Sequence, residues 1–193
     1  MNKSTIYDMD SDSASKTDET IDGIPFFRKY GPPRTKSHAY SKKVETSIVK
    51  ILMTHPHPNI VNYYDITDDY ITMEQVITQK SDPSYVGIEP TSYNDLIEIQ
   101  HVMAKVKDHL QGLGIMYVDW KFDNLAKSED GTYKLFDFDA SGLVDLTSQN
   151  WILEPQHYWS YNEALKNGCI TPKEIDDWAF NYNIIEDGFK LVE

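Results

Sequence analysis

Between Ser92 and Gly114 the apolar residues Leu96, Ile99, Met103, Val106, Leu110 and Leu113 recur in steps of three and four. Such steps align side chains in one stripe along a helix of about 3.6 residues per turn, and Gly114 supplies a stop. The spacing predicts an amphipathic helix over 92–114 that must bury one face against the rest of the chain. A chain of 193 residues has room for that core. Its 40% hydrophobic content, with four Trp and thirteen Tyr, excludes a disordered polymer.

The segments around this helix alternate in character. Residues 1–22 are dominated by Ser, Thr and Asp and read as a flexible arm, because they offer little apolar surface to offset ordering entropy. Residues 23–31 (GIPFFRKYG) have the apolar, aromatic content of a strand between glycines. In 40–53 the positions Val44, Ile48, Ile51 and Leu52 mark a helical face. The stretches HPHPNIVNYYDI and DDYITMEQVI read as two strands across an Asp-rich turn. Beyond the long helix, IMYVDW and KLFDFDAS flank a polar loop, and a last helix is expected from about Thr171 to Phe189. The predicted organisation is an arm (1–22), a small lobe of strands with one helix (23–77), and a mainly helical part (78–193).

Charge and cysteine usage narrow the function classes. A formal net charge of -13 disfavours nucleic acid and anionic membrane surfaces, which need clustered Lys and Arg, and fits a protein partner or substrate of basic character. Cys169 is the single cysteine, so no internal disulfide can form, which suits a reducing, intracellular and cytoplasmic setting. No apolar run reaches the roughly eighteen residues of a membrane span. His55 and His57 lack further ligands at zinc spacing and read as a loop.

The chemistry is concentrated in Tyr117-Val118-Asp119-Trp120-Lys121-Phe122-Asp123-Asn124-Leu125 and Lys134-Leu135-Phe136-Asp137-Phe138-Asp139. Each acidic or amide residue taken singly is a common turn former; the joint pattern Asp-x-Lys-x-x-Asn followed by apolar-Asp-Phe-Asp is much more specific. It resembles the catalytic loop and metal-binding element of protein kinases. Phosphoryl transfer needs a carboxylate to orient or deprotonate the attacking hydroxyl and oxygen ligands for magnesium on the nucleotide phosphates. The resemblance assigns Asp119 as base, Lys121 to the transferred phosphate, and Asn124 and Asp137 to the metal. It further implies that Glu45 pairs with a strand lysine, Lys29 first and Lys36 next. Met73 would lie beside adenine, with the Glu74 carbonyl and Val76 amide on the base. Asp176 would brace the catalytic loop, and Asn162-Glu163-Ala164 would end an activation segment.

The resemblance runs from about Phe26 to Phe189 and implies a bilobal α+β fold with an abbreviated small β lobe. It is nearest in character to the divergent minimal kinases of large DNA viruses, which would put the protein in host cytoplasm or virion. Three departures stand out. Residues 1–40 hold only Gly23 and Gly31, so no glycine-rich phosphate loop is recognisable. Tyr117-Val118 replaces the usual His-Arg pair, removing the arginine that senses a phosphorylated segment. The later large-lobe helices are not expected. The implied activity is ATP- and magnesium-dependent phosphorylation of Ser or Thr in a protein. The rival readings are a pseudokinase that acts as a binding scaffold and a small-molecule kinase of the aminoglycoside or choline type.

Overall fold

The computed structural model describes residues 15–21, 24–29, 35–77 and 87–192. Strand β1 (Ser15–Ile21) runs antiparallel to β2 (Ile24–Lys29), with Ile21 opposite Ile24 and Ser15 opposite Arg28. The expected flexible arm therefore needs correction over 15–21. The intervening sequence is Asp22-Gly23, a dipeptide favoured in two-residue hairpins, and pairing with β2 supplies the order that side-chain burial could not. Residues 1–14 lie outside the described residues.

Helix α1 (Lys36–Thr54) opens on Thr35, whose hydroxyl accepts from the His38 amide at 3.1 Å. It buries Val44, Glu45, Ile48, Val49 and Leu52, so the predicted face is present, widened by a buried carboxylate. Strands β3 (Tyr63–Ile66) and β4 (Ile71–Glu74) complete a sheet of order β1-β2-β4-β3. Phe27 of β2 stands opposite Met73 of β4, and Lys29 opposite Ile71.

Helix α2 (Tyr93–Gly112) is the periodic helix, started by Ser92 accepting from the Asp95 amide. Leu96, Ile99, Met103, Val106 and Leu110 are all 0% exposed, while Leu113 falls on the helix cap and is half-buried. Two short hairpin partners follow: β5 (Ile115–Met116) joins a later sheet, and β6 (Leu125–Lys127) pairs with β7 (Tyr133–Leu135). Between β5 and β6 lies a 3-10 turn, Phe122–Asn124. Strands β8 (Gly142–Val144) and β9 (Trp151–Leu153) extend β5 in the order β5-β8-β9.

Helices α3 (Trp159–Lys166) and α4 (Pro172–Phe180) come next, α4 with a capping box between Thr171 and Glu174. The expected single helix to Phe189 departs from α geometry: residues Asn181–Glu186 are π-helical before α5 (Asp187–Lys190). Side-chain amides meet the carbonyls there. Gln100 donates to Ile184 O at 3.0 Å and Asn183 donates to Ala179 O at 2.9 Å, which helps tolerate a poorer backbone ladder.

The architecture is α+β, as expected, with one sheet-and-helix portion and one mainly helical portion. Its main core joins Ile48, Ile71, Leu96, Met103, Leu125 and Phe138, so both portions share one apolar interior. Each such side chain contributes roughly 1.5–3 kcal/mol on burial. A smaller cluster of Met116, Val118, Val144, Tyr161, Ala164 and Ile175 seats α3 and α4 beneath β5 and β8. No helix among the described residues is long and apolar enough to cross a membrane.

Candidate active site

The site begins with Lys29 at the end of β2, an extended position whose side chain is 17% exposed. Its ammonium lies 3.0 Å from Glu45 Oε2 and 2.5 Å from Asp137 Oδ1. Glu45 is fully buried on α1, where an unpaired carboxylate would be costly. It also accepts the Phe138 amide at 3.3 Å, which ties α1 to the segment after β7. Lys36, the second candidate for this pairing, lies exposed in the first turn of α1.

Asp137 adopts a positive φ of 63°, unusual for a residue with a side chain. The conformation sends Phe138 inward, where it is 0% exposed and meets Tyr117 at 5.1 Å and Tyr63 at 6.4 Å in edge-on packing. Tyr117 also donates from its hydroxyl to Phe136 O at 2.6 Å. Burial raises the Asp137 pKa and the Lys29 ammonium more than offsets it, so the carboxyl ends below its ordinary range. Asp139 shows the opposite balance. Burial and the neighbouring Asp137 and Glu45 carboxylates outweigh Lys29 and lift it to about 7.

The second half of the site follows β5. Asp119 sits in the turn before the 3-10 segment, and its Oδ2 receives Lys121 Nζ at 2.7 Å and Asn124 Nδ2 at 2.9 Å. Asn124 Nδ2 also donates to Asp119 O at 3.0 Å, closing the loop on itself. Burial pushes the Asp119 carboxyl above its ordinary value despite Lys121. Burial lowers Lys121, but Asp119 reverses this and its ammonium is held above the ordinary value. Gly87 packs directly beneath this turn with φ 122°; an added Cβ would meet Asp123 Cα at 2.4 Å. That glycine carried no sequence signal, since its role depends on a chain segment remote in sequence.

The loop is braced from below by Asp176 of α4, which is 0% exposed. Its Oδ1 accepts from the Val118 amide and from Trp120 Nε1, both at 2.8 Å, and Oδ2 accepts Gln111 Nε2 at 2.8 Å. The Val118 backbone is itself left-handed, φ 62°, and the Asp176 contact holds it there. The sequence indicated Asp176; the roles of Trp120 and Gln111 were not visible, because a Trp in a core and a Gln on a helix face have many uses.

The residues expected beside adenine are more mixed. Met73 is 5% exposed within β4, and Val76 follows that strand half-buried. The Glu74 side chain turns away to Lys134 at 3.1 Å and to the Asn62 amide at 3.0 Å, so only its backbone could face a base. Glu163 pairs with Lys166 on the surface of α3 at 2.6 Å.

The donor set near Asp137 suits a magnesium ion. Asp137 offers a carboxylate, one oxygen of which meets Lys29, and Asn124, with its Nδ2 committed to Asp119, offers an amide oxygen. Magnesium takes hard oxygen ligands and fills its remaining positions with water and phosphate oxygens, so one carboxylate and one amide suffice. No cluster of three or more His, Cys, Asp or Glu among the described residues could hold a metal alone.

Comparison with known proteins points the same way as the geometry. The serine/threonine-protein kinase dst2 of Dictyostelium discoideum is 26% identical over 146 residues, 72% of this chain and 13% of that protein. The probable serine/threonine-protein kinase PknB of Lactococcus lactis is 30% identical over 129 residues, 62% of this chain and 20% of its own length. A probable serine/threonine-protein kinase of Clostridium perfringens is 29% identical over 154 residues, 75% of this chain and 21% of its own. The chain is thus similar, at 26–30% identity, to proteins named as serine/threonine-protein kinases. It spans about a fifth or less of the length of these relatives. No family model matches it.

Proposed function

We propose that this chain is an ATP- and magnesium-dependent phosphotransferase acting on Ser or Thr hydroxyls of a protein. The observation that carries the reading is Lys29 held between Glu45 and Asp137, residues 16 and 108 positions away in sequence. A lysine fixed by two carboxylates from remote parts of the chain has its position set before a phosphate arrives. Lys29, positioned by Glu45, would bind the nucleotide phosphates. Met73 would pack on adenine, with the Glu74 carbonyl and Val76 amide on its edge. Asn124 and Asp137 would hold magnesium, which when bound neutralises phosphate charge.

Asp119 then stands as the group that receives the acceptor proton. The acceptor oxygen bonds to the γ-phosphorus as the bridging oxygen departs with ADP, and the hydroxyl proton passes to the Asp119 carboxylate. The pKa of Asp119, raised by burial, brings its proton affinity closer to that task. Lys121 would shift from Asp119 toward the transferred phosphate.

The test is a thermal-shift titration with ATP and magnesium on the wild type and Asp137→Asn. A magnesium-dependent rise in Tm that the variant loses supports the reading, since a ligand of the folded state must stabilise it. No rise at millimolar nucleotide would leave a scaffold without turnover as the better account. Peptide acceptors tested against amino alcohols and aminoglycosides separate protein from small-molecule phosphorylation.

A further inference from the structure

One contact in the structure has no part in the site described above. Residues 154–156, between β9 and α3, lie against the first turns of α1. Tyr40 donates from its hydroxyl to Glu154 O at 2.7 Å. Gln156 makes three hydrogen bonds to α1: Oε1 accepts from Ser37 Oγ at 2.8 Å, Nε2 donates to Ser37 O at 3.0 Å, and Nε2 also donates to Ser41 Oγ. The amide orientation is fixed by chemistry, because the Ser37 carbonyl can only accept.

The placement of these partners on α1 gives the contact meaning. Ser37, Ser41 and Glu45 follow one another at intervals of four and so share one stripe of the helix. Gln156 grips the first two members, and Lys29 with Phe138 grips the third about 6 Å further along the axis, at roughly 1.5 Å rise per residue. The rest of the helix contact is an apolar face of Val44, Ile48, Val49 and Leu52, which resists separation more than rotation. A twist of α1 would draw Glu45 from Lys29 and strand a buried carboxylate.

The gripping segment is itself anchored. Glu154 Oε1 accepts from Tyr161 Oη of α3 at 2.5 Å and from His157 Nε2 at 3.0 Å, and Pro155 is buried against Gly142. Val118, in the catalytic loop, offers no charge with which to read a phosphate on this segment. The hydrogen bonds of Gln156 are uncharged and need no modification to form.

We propose that Gln156 is a positioning residue that sets the rotation of α1 and thereby holds Glu45 on Lys29. In consequence the lysine is kept aligned without a phosphorylation event on the 154–158 segment. The effect on turnover rests on the phosphotransferase reading; the effect on Lys29 does not.

The experiment compares the full chain with Gln156→Ala, with Ser37→Ala/Ser41→Ala, and with each combined with Glu45→Ala. The rate at which Lys29 is acylated by an amine-reactive reagent is followed by mass spectrometry without nucleotide, together with hydrogen exchange in 36–45. Gln156→Ala and the double serine variant should each raise the Lys29 rate about fivefold, the scale expected for loss of a hydrogen-bonded support. Neither should raise it further once Glu45→Ala has removed the hold of α1 on the lysine, which leaves Lys29 on Asp137 alone in every double variant, a non-additivity that generic loosening of the fold would not give. The serine variants keep the test alive should Gln156→Ala fail to fold. Unchanged Lys29 acylation in folded variants, or additive effects with Glu45→Ala, would overturn the proposal. If acylation responds as expected while nucleotide causes no thermal shift in the wild type, the phosphotransferase reading fails and the role of Gln156 stands.

Discussion

The Asp176 carboxylate accepts a hydrogen bond from the Trp120 indole at 2.8 Å across 56 positions of sequence, with both side chains 0% exposed. The same oxygen takes the Val118 amide, so one carboxylate orients the residues on both sides of Asp119. Asp176→Ala would leave the Val118 and Trp120 donors without their partner, while Gln111 Nε2 keeps its bond to Asp177 Oδ1 at 3.0 Å. Each orphaned donor costs about 1–3 kcal/mol, so a loss of roughly 2 kcal/mol or more is expected in chemical denaturation. Trp120→Phe removes one donor while keeping an aromatic ring, and should cost less than half as much.

Gly87 tests the support of the Asp119–Asn124 loop from its other side. At φ 122° the backbone is in a region reserved in practice for glycine, and a Cβ would also come within 2.6 Å of Phe122 O. Gly87→Ala should cost about 1–3 kcal/mol in strain, with the overlap adding to it. Because the overlap falls on Phe122 and Asp123, the proposed phosphotransfer should fall faster than Tm in the variant, read by activity and melting on one preparation.

What was legible in the sequence and what was not divide along physical lines. The stripe of Leu96, Ile99, Met103, Val106 and Leu110 was readable because helix periodicity is local, whereas Glu45, buried on the Val44/Ile48 face, was indicated only by the kinase resemblance. The joint Asp119-Lys121-Asn124 and Asp137 pattern was readable because spacing within a loop is preserved in the chain. The choice of Lys29 over Lys36 depended on which strand enters the sheet beside β4, a long-range fact. Strand β1 was missed since its order comes from backbone pairing rather than an apolar face. The π-helical Asn181–Glu186 stretch was missed because a helical period does not distinguish four- from five-residue hydrogen bonding. Gln156 was missed because an exposed-looking polar residue between β9 and α3 has meaning only once α1 lies against it.

Acid should unfold the protein partly through Asp95. Burial raises its pKa, but hydrogen bonds from Tyr133 and Thr91 more than offset this and hold the carboxyl below its usual value of 3.8. A carboxyl with a depressed folded-state pKa contributes stability that is present above 3.8 and is lost as pH falls through the folded value. Tm should therefore drop below pH 4, and Asp95→Asn should flatten that drop while lowering Tm at neutral pH. An unchanged acid slope in the variant would exclude Asp95 as a contributor.

Asp119 makes the reverse case, in which a residue suited to chemistry is unsuited to stability. Burial lifts its pKa above 3.8 even with Lys121 and Asn124 attached, so folding disfavours its charged form. The sign follows directly: the stability associated with the protonated group is complete below 3.8 and is lost as pH rises through the higher folded value. At neutral pH the ionised carboxylate is a net cost to the fold. Asp119→Asn removes that charge, and its amide oxygen can still accept from Asn124, while Lys121, whose side chain is 43% exposed, can turn to solvent. The variant should melt at the same temperature as the wild type or higher, with the gain absent below 3.8 and growing as pH rises through the higher folded value. Phosphotransfer, if Asp119 is the base, should fall by about 10²–10⁴-fold with nucleotide binding intact. A fall in Tm matched by a fall in nucleotide affinity would instead make Asp119 a structural anchor of the loop.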